Sequence, residues 1–272
     1  MAKAIRAIVI TGNGTNCEME MAHACRLAGF DQVEIVHISE LLCGTKRLDD
    51  YDFLNLPGGF LDGDDLGSAK AGANRILHAP VAGTDELLFS QFLRFIDQGK
   101  LILGICNGFQ LLAKLGMLPG FDGHYDRQSV TLTVNDSGRF EDRWVRLVTD
   151  PSSPCIFTRG LASLSLPVRH GEGKFIAKDA ATLKRLQNER LIALRYADDH
   201  GQSTQAYPAN PNGTVDAIAG ISDATGRIFG MMPHPEAFLH RTNHPRWTRE
   251  DLPEEGEGLA LFRNAAKFLH GI

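Results

Sequence analysis

Hydrophobic and polar positions alternate in blocks along the first 125 or so residues of the chain. Apolar residues at helical spacing mark the segments 19–29 and 86–99, each of which stops at a glycine. Short apolar runs, partly β-branched, lie beside them at 4–11, 33–38, 51–59 and 100–105. Apolar strands separated by helices are typical of a parallel sheet that is covered on both faces. The first part of the chain therefore predicts parallel strands with flanking helices.

The pattern changes after about residue 125, where shorter segments of alternating polarity replace the apolar runs. These segments are 129–134, 143–148 and 191–196, and turns join them. Their alternation predicts antiparallel strands, which we expect to extend the same sheet. A last helix is predicted at 258–271. Because no repeat or linker divides the sequence, we expect a single α/β domain over residues 1–272, with a mostly parallel central sheet and antiparallel additions.

Composition and charge narrow the range of functions. The net charge is −5, from 28 basic and 33 acidic residues, and the basic residues are scattered. The sequence therefore gives no electrostatic reason to expect a nucleic acid or an anionic membrane as partner. No apolar run approaches the roughly 18–20 residues that cross a bilayer, and the first residues lack the apolar core of a secretion signal. Five widely spaced cysteines indicate reduced thiols, so we expect a cytoplasmic protein.

One cysteine lies between two glycines where an apolar run meets a helical pattern. Residues Gly104 to Gly108 form the pattern G-x-C-x-G, with Cys106 at its centre. This is the cysteine form of a nucleophile elbow, in which a strained residue needs small neighbours two positions away on each side. The helix that follows would favour the thiolate, and the amide of Asn107 would face a developing oxyanion. The alternative is a buried cysteine in an ordinary glycine-containing turn.

A cysteine nucleophile needs a base, and the stretch "GMMPHPEAF" offers a candidate. His234 and Glu236 are separated by Pro235, and residues at i and i+2 of an extended segment point the same way. Pro235 biases His234 toward this geometry. A predicted strand at 227–230 would deliver His234 to the carboxyl edge of the sheet, where Cys106 also lies. The alternative is a surface turn without a catalytic role.

Gly58 and Gly59 end another predicted strand at the same edge of the sheet. Their backbone amides offer a second oxyanion donor, since glycine lets a substrate approach the main chain closely. A tight turn without further function is the alternative. The glycine-containing stretch at 12–16 fits no phosphate-binding pattern and predicts a turn in which Thr15 or Asn16 caps the next helix.

Metal binding finds little support in the sequence. His240 and His244 stand four residues apart, which is the spacing of two ligands on one helix face. Pro245 follows directly, however, and no third ligand is evident nearby. We therefore predict no metal site.

Five stretches of the chain together resemble a known family, the class I glutamine amidotransferases. They are "LPGGF", "LGICNGFQLLAKLGMLPG", "VRHGEGKF", "YPANPNGTVDAIAGI" and "GMMPHPEAF", and they span nearly the whole sequence. The pattern G-x-C-x-G with a distant H-x-E marks the family in general. "CNGFQLL" followed by "HGEG" and "NPNG" is similar to the branch that serves phosphoribosylformylglycinamidine synthase in purine biosynthesis.

The resemblance implies a three-layer α/β fold and roles for individual residues. Cys106 would attack the side-chain amide of glutamine, His234 would act as general base and then acid, and Glu236 would hold the imidazole. A γ-glutamyl thioester would form, and water would release glutamate. The amides of Gly59 and Asn107 would form the oxyanion hole. The implied substrate-binding residues are Gly58, Gln110, His170 and Gly171.

The resemblance also implies partners. Ammonia would pass to a separate, large synthetase subunit that converts formylglycinamide ribonucleotide to formylglycinamidine ribonucleotide, and a small third subunit would bridge the two. ATP and Mg²⁺ are expected on the synthetase, and no cofactor is expected on this chain. Three alternatives stay open: an amidotransferase that serves another synthetase, a cysteine-elbow hydrolase or redox sensor of similar fold, and a glutamine-binding module without catalysis.

Three features depart from the pattern of this branch. Leu61 and Asp62 stand where a serine and a tyrosine are usual, so we expect no hydroxyl contact there. Ala237 replaces the usual arginine after H-P-E, which removes a cation near the catalytic residues. The segment 239–258 is longer than in compact members, and we expect an interface loop there.

Overall fold

The computed structural model describes residues 4–271, which form eleven strands and seven α-helices. The strands are β1 (Arg6–Thr11), β2 (Gln32–His37), β3 (Phe53–Leu56), β4 (Leu101–Ile105), β5 (Val130–Thr133), β6 (Glu141–Thr149), β7 (Ser163–His170), β8 (Lys174–Ala177), β9 (Ile192–Ala197), β10 (Ile218–Ser222) and β11 (Ile228–Met231). The helices are α1 (Glu18–Ala28), α2 (Ile38–Leu42), α3 (Lys70–His78), α4 (Leu88–Asp97), α5 (Asn107–Leu115), α6 (Ala180–Asn188) and α7 (Leu259–His270). Residues 1–3 and 272 lie outside the described part, so a single domain over 1–272 stays a prediction.

A nine-stranded sheet with the order β2-β1-β3-β4-β11-β10-β9-β6-β7 forms the centre of the fold. The first five strands in this order are parallel to one another, and each later strand is antiparallel to its neighbour. Strands β3, β4 and β11 are buried along their whole length, as expected for parallel strands covered on both faces. The predicted parallel sheet with antiparallel additions is therefore confirmed.

The helices form two groups around this sheet. Helix α1 packs against α7, whereas α3 packs against both α4 and α5. The predicted helical segments at 19–29, 86–99 and 258–271 correspond to α1, α4 and α7. Within residues 4–271, no helix is long and apolar enough to cross a bilayer.

The placement of the segment 129–134 in the main sheet was wrong. Its strand, β5, pairs antiparallel with β8 in a separate two-stranded ribbon. Phe175 of β8 stacks on Phe109 of α5, with 6.4 Å between ring centroids, so the ribbon covers α5 rather than an edge of the sheet. Alternating polarity indicates that one face of a strand is buried, but it does not indicate which partner strand pairs with it.

The cap predicted for the first helix was also wrong. Helix α1 starts after Cys17, and neither Thr15 nor Asn16 caps it. The amide of Asn16 instead donates to the carbonyl of Gly58 at 3.3 Å, while the amide of Phe60 donates to the carbonyl of Gly14 at 2.8 Å. These two bonds join the turn after β1 to the turn after β3, so the stretch at 12–16 fixes the position of the neighbouring glycines.

Strand β4 and helix α5 approach each other so closely that only glycine fits at two positions. A Cβ atom on Gly104 would lie 2.6 Å from the carbonyl oxygen of Gly108. A Cβ atom on Gly108 would lie 1.9 Å from the carbonyl oxygen of Leu56 on β3. Because the obstacles are backbone atoms, no side-chain rotation relieves these contacts. The two glycines of the G-x-C-x-G pattern thus set the distance between sheet and helix.

We predict that Gly108→Ala destabilises the protein, although alanine is the better helix former by about 1 kcal/mol. Forcing a methyl group onto the backbone of Leu56 is expected to lower the free energy of unfolding by about 3 kcal/mol. Denaturant unfolding of the variant measures this. Gly171→Ala is the matched control, because its Cβ would meet no atom closer than 4.0 Å. Equal stability of the two variants would show that the contact between helix and strand is not rigid.

Candidate active site

Cys106 lies at a sharp bend between β4 and α5. Its backbone has φ 52° and ψ −105°, whereas most residues other than glycine avoid positive φ. Its amide donates to the carbonyl of Met231 at 2.8 Å, which extends the pairing of β4 with β11 by one residue. Helix α5 starts at the next residue, so its free N-terminal amides lie beside the sulfur. The backbone conformation predicted for the elbow is confirmed.

His234 and Glu236 follow β11, the parallel neighbour of β4, and therefore reach the same edge of the sheet as Cys106. Nδ1 of His234 lies 2.6 Å from Oε1 of Glu236, and both side chains are buried. The backbone between them differs from the prediction, because Pro235–Ala237 forms a turn of 3₁₀ helix rather than an extended segment. His234 itself is extended, and the tight turn brings the carboxylate back onto its ring.

The charge on His234 is set by its neighbours. Burial alone would lower the pKa of the imidazole, but the charges of Glu236 and Cys106 outweigh it and hold this pKa well above its usual value. Nε2 of His234 has no hydrogen-bond partner within residues 4–271. The arrangement therefore favours an imidazolium that is held at Nδ1 by a carboxylate and has its other nitrogen free.

Cys106 and His234 line one cavity of about 530 Å³. Four further residues predicted from the sequence line it too: Gly59, Gln110, His170 and Gly171. Gly58 lies instead behind the imidazole, where a Cβ atom would come within 2.7 Å of Cε1 of His234. The structure thus places five of the predicted residues around the thiol. Gly58 does not line the cavity, and its lack of a side chain leaves space for the imidazole of His234.

Two backbone amides are candidates for an oxyanion hole. Gly59 has φ 136°, and a Cβ atom there would lie 2.7 Å from the carbonyl oxygen of Gly14, so only glycine fits. Asn107 contributes the first amide of α5, which has no partner inside the helix. Its side chain is occupied elsewhere, accepting from the amide of Leu61 at 3.0 Å and donating to Gln110 at 3.1 Å. The oxyanion role of both amides stays a prediction.

The loop after β7 is held in place by a buried asparagine that sequence reasoning missed. The side-chain nitrogen of Asn135 donates to the carbonyl of His170 at 2.8 Å, and its oxygen accepts from the amide of Gly173 at 2.9 Å. Nε2 of Gln110 donates to the carbonyl of Glu172 at 2.5 Å. The loop is thus fixed at both ends by Asn135 and in its middle by the helix that carries the elbow.

His170 presents a neutral imidazole to the cavity. Burial and the nearby charge of His234 lower the pKa of His170 to about 4. Neither ring nitrogen has a hydrogen-bond partner within residues 4–271. The ring lies against Gly173, where a Cβ atom would come within 2.3 Å of it. A neutral side chain with free ring nitrogens suits contact with a polar substrate.

The sequence of this chain is similar to those of known proteins. Residues 4–269 match a family described as the CobB/CobQ-like glutamine amidotransferase domain. The chain belongs to this glutamine amidotransferase family. A protein of Dehalococcoides mccartyi called phosphoribosylformylglycinamidine synthase subunit PurQ is 45% identical over 268 residues, which cover 98% of this chain and 99% of that protein. A protein of the same name from Methanococcus maripaludis is 42% identical, covering 97% and 98%.

A solved structure also aligns with this amidotransferase over almost its full length. It is titled as the structure of PurLQS from Thermotoga maritima, and the aligned chain has a TM-score of 0.70 and 27% identity. The alignment covers 98% of the amidotransferase chain and 100% of the other. Fold and sequence therefore point to the same family.

The amidotransferase carries a second thiol at the site that the sequence did not reveal. Sγ of Cys17 lies 3.9 Å from Nδ1 of His234, and Cys17 lines the same cavity as Cys106. Burial raises the pKa of the Cys17 thiol. The signal that was available is topological: Cys17 follows β1, which is parallel to β3 within the group of strands whose carboxyl ends meet here.

The predicted departures from the family pattern have structural counterparts. Leu61 is buried, the carboxylate of Asp62 pairs with Arg75 at 2.8 Å, and neither residue lines the cavity of Cys106. His240 bonds Thr242 through Nδ1 at 2.8 Å, whereas the ring of His244 packs edge-on against Trp144. The two histidines therefore make separate contacts.

The raised pKa of His234 predicts a pH dependence of stability. Because the folded state holds the proton more tightly than the unfolded state, the stabilisation is complete below about pH 6.5 and is lost as the pH rises through the raised pKa. Glu236→Gln removes the charge that raises this pKa, so the variant should lose less stability than the wild type over that range. Each tenfold change in proton affinity corresponds to about 1.4 kcal/mol.

Chemical denaturation from about pH 6 to about pH 9 measures this difference. Glu254→Gln is the control, since it removes a carboxylate that is largely exposed and does not hold His234. A gap between wild type and Glu236→Gln that stays constant with pH would contradict the assigned charge state.

Proposed function

We propose that this chain is the glutaminase subunit of a phosphoribosylformylglycinamidine synthase. In this proposal it hydrolyses glutamine at Cys106 and supplies ammonia to a separate synthetase that converts formylglycinamide ribonucleotide to formylglycinamidine ribonucleotide. The observation that carries it is the strained Cys106, which shares a cavity with His234, the imidazole that the buried Glu236 holds at Nδ1. The relatives named above carry the matching name over nearly the full chain.

The cavity suits a small zwitterion such as glutamine. Its lining residues include the basic Arg169 and the acidic Glu20, Asp64 and Glu172, so each charge of an amino acid has a residue of opposite charge nearby. His170 and Gln110 add neutral polar groups to the same walls. We infer that the α-amino and α-carboxylate groups are held by these walls while the side-chain amide reaches Cys106.

The first half of the reaction forms a thioester. The Cys106 thiolate attacks the amide carbon, and the carbonyl oxygen becomes an oxyanion that accepts hydrogen bonds from the amides of Gly59 and Asn107. His234, protonated and held by Glu236, gives its proton to the leaving nitrogen. The C–N bond breaks, so ammonia leaves and a γ-glutamyl thioester remains on Cys106.

The second half regenerates the thiolate. The neutral imidazole of His234 takes a proton from a water molecule, which attacks the thioester carbon. The same two amides stabilise the second oxyanion. The C–S bond breaks, glutamate leaves, and the Cys106 thiolate again faces a protonated His234. Every proton transfer in this scheme uses the free Nε2 atom, while Glu236 keeps the ring oriented through Nδ1.

The proposed partners are a large synthetase subunit, which would hold ATP and Mg²⁺, and a small bridging subunit. The aligned chain in the Thermotoga maritima structure belongs to an assembly titled PurLQS. On this chain, two exposed phenylalanines, Phe60 and Phe140, lie at the cavity. Exposed aromatic side chains beside an active-site cavity are typical of a surface that a partner covers. The five free cysteines accord with a cytoplasmic location.

We predict that Cys106→Ala abolishes glutamine-dependent synthesis by the assembled complex and leaves ammonia-dependent synthesis within about twofold of wild type. Loss of a nucleophile should lower the glutamine-dependent rate by at least about 10⁴-fold. Parallel assays with glutamine and with ammonium salt measure the two activities. Cys43→Ala, which changes an exposed thiol, is the matched control. Turnover of glutamine by Cys106→Ala would refute the nucleophile assignment.

We also predict that the isolated chain hydrolyses glutamine slowly until the synthetase docks over Phe60 and Phe140. Phe140→Ser should weaken association with the synthetase by about tenfold, because it removes an exposed aromatic contact. Binding measurements and glutaminase rates with and without synthetase test this. Leu87→Ser, another exposed apolar residue that does not line the cavity, should have no effect. Full glutaminase activity of the chain alone would contradict the coupling.

A further inference from the structure

Three side chains from distant parts of the sequence converge beside the elbow. The sulfur of Cys17, a ring nitrogen of His234 and a carboxylate oxygen of Glu236 all lie within 4.8 Å of one another. Cys17 precedes α1, while the other two follow β11. This set has no local signature in the sequence, because 217 positions separate Cys17 from His234.

The chemistry of this set is that of a zinc site with one open position. Thiolate, imidazole and carboxylate are the three ligand types that zinc takes in proteins, and three protein ligands leave a fourth position for water or a further ligand. Softer ligands such as thiolate and imidazole also disfavour Mg²⁺ and Ca²⁺. The set is therefore selective for zinc and for ions of similar chemistry.

The distances fit one ion with a small adjustment. Sγ of Cys17 and Nδ1 of His234 are 3.9 Å apart, which is less than the two bond lengths to zinc of about 2.3 and 2.0 Å taken together, so one ion reaches both at a bent angle. Oε1 of Glu236 is closer to Nδ1, at 2.6 Å, because the two are now hydrogen-bonded. The second oxygen of Glu236, Oε2, is buried and has no partner within residues 4–271, so it is available as a ligand.

An ion also has access to this place. Cys17 and His234 line the cavity that contains Cys106. Glu236 lines a neighbouring cavity of about 780 Å³ on its other side. Two residues, Glu20 and Arg169, line both cavities. The three ligands thus lie between two open spaces, and an ion has only a short distance to cross from either.

We propose that Cys17, His234 and Glu236 form a binding site for zinc-like divalent cations, and that the bound cation stops the glutaminase reaction. On binding, the thiol of Cys17 and Nδ1 of His234 each release a proton to solvent, and the metal takes the position of the hydrogen bond between Nδ1 and Glu236. His234 then lacks the carboxylate that holds it as general acid and base. The inhibitory part rests on the proposed function, whereas metal binding does not.

Cobalt is the probe for binding, because a cobalt–thiolate bond gives a charge-transfer absorption band. The metal-free, reduced full chain is titrated with Co²⁺ alone, and we expect one ion per chain with this band. Cys17→Ala and Cys17→Ser should lose the band, whereas Cys43→Ala and Cys106→Ala should keep it. Since loss of an outer-shell partner alone costs about 10- to 100-fold in metal affinity, competition with Zn²⁺ should show at least tenfold weaker binding for both Cys17 variants.

Several outcomes would refute the proposed metal site. A band that persists in both Cys17 variants would show that a cysteine other than Cys17 supplies the thiolate. Loss of the band in Cys106→Ala or in Cys43→Ala would show the same. The serine variant keeps the size of the side chain, and circular dichroism verifies that both variants are folded. No band in the wild type would also refute the proposal.

Inhibition is tested on the assembled complex. Zn²⁺ should lower glutamine-dependent synthesis at least tenfold at a concentration that leaves ammonia-dependent synthesis unchanged, and Cys17→Ser should be at least tenfold less sensitive than Cys43→Ala. Equal sensitivity of the two variants would refute the inhibitory role even where cobalt binds. If the chain binds cobalt as expected but never uses glutamine, the proposed function fails and the metal site stands.

Discussion

The left-handed backbone of Cys106 is the constraint on which the rest of the site depends. A residue other than glycine in such a region costs about 1–3 kcal/mol, so the surrounding structure must hold it there. Two contacts do so: the helix backbone at Gly108 meets the carbonyl of Leu56, and the amide of Cys106 bonds Met231. If α5 moved away from the sheet by the width of a methyl group, the bend would relax and the sulfur would leave the edge of the sheet.

That edge is where the parallel strands bring the other groups. Strands β1, β3, β4 and β11 end there, and each is followed at once by part of the site: the turn before Cys17, the pair Gly58–Gly59, Cys106 and His234. Because parallel strands all point their carboxyl ends the same way, sequence distance has little bearing on proximity. Several parallel strands that end at one edge therefore bring reactive groups together even though no local sequence pattern predicts the cluster.

This difference between local and topological information explains what could be predicted from sequence. The elbow was predictable because its glycines, strand and helix are contiguous in the sequence. The pairing of His234 with Glu236 was predictable because the two residues are only two positions apart. The partner of β5, the 3₁₀ turn at Pro235–Ala237 and the support that Asn135 gives the loop after β7 were not predictable. Each depends on which residues, distant in the sequence, lie nearby in the folded chain. The position of Cys17 had a usable signal, its place just after a parallel strand, but nothing in its neighbours distinguished it from an ordinary turn residue.

Two buried histidines show how the fold assigns charge at the site. His234 and His170 are both almost fully buried, and burial lowers the pKa of each. Their pKa values differ because His234 has Glu236 at hydrogen-bond distance. The ring nitrogens of His170 have no hydrogen-bond partner within residues 4–271, and the charge of His234 lowers the pKa of His170 further. One imidazole is therefore kept as a proton donor and the other as a neutral polar surface. Were both protonated, two cations would share one low-dielectric cavity, where their repulsion would be strong.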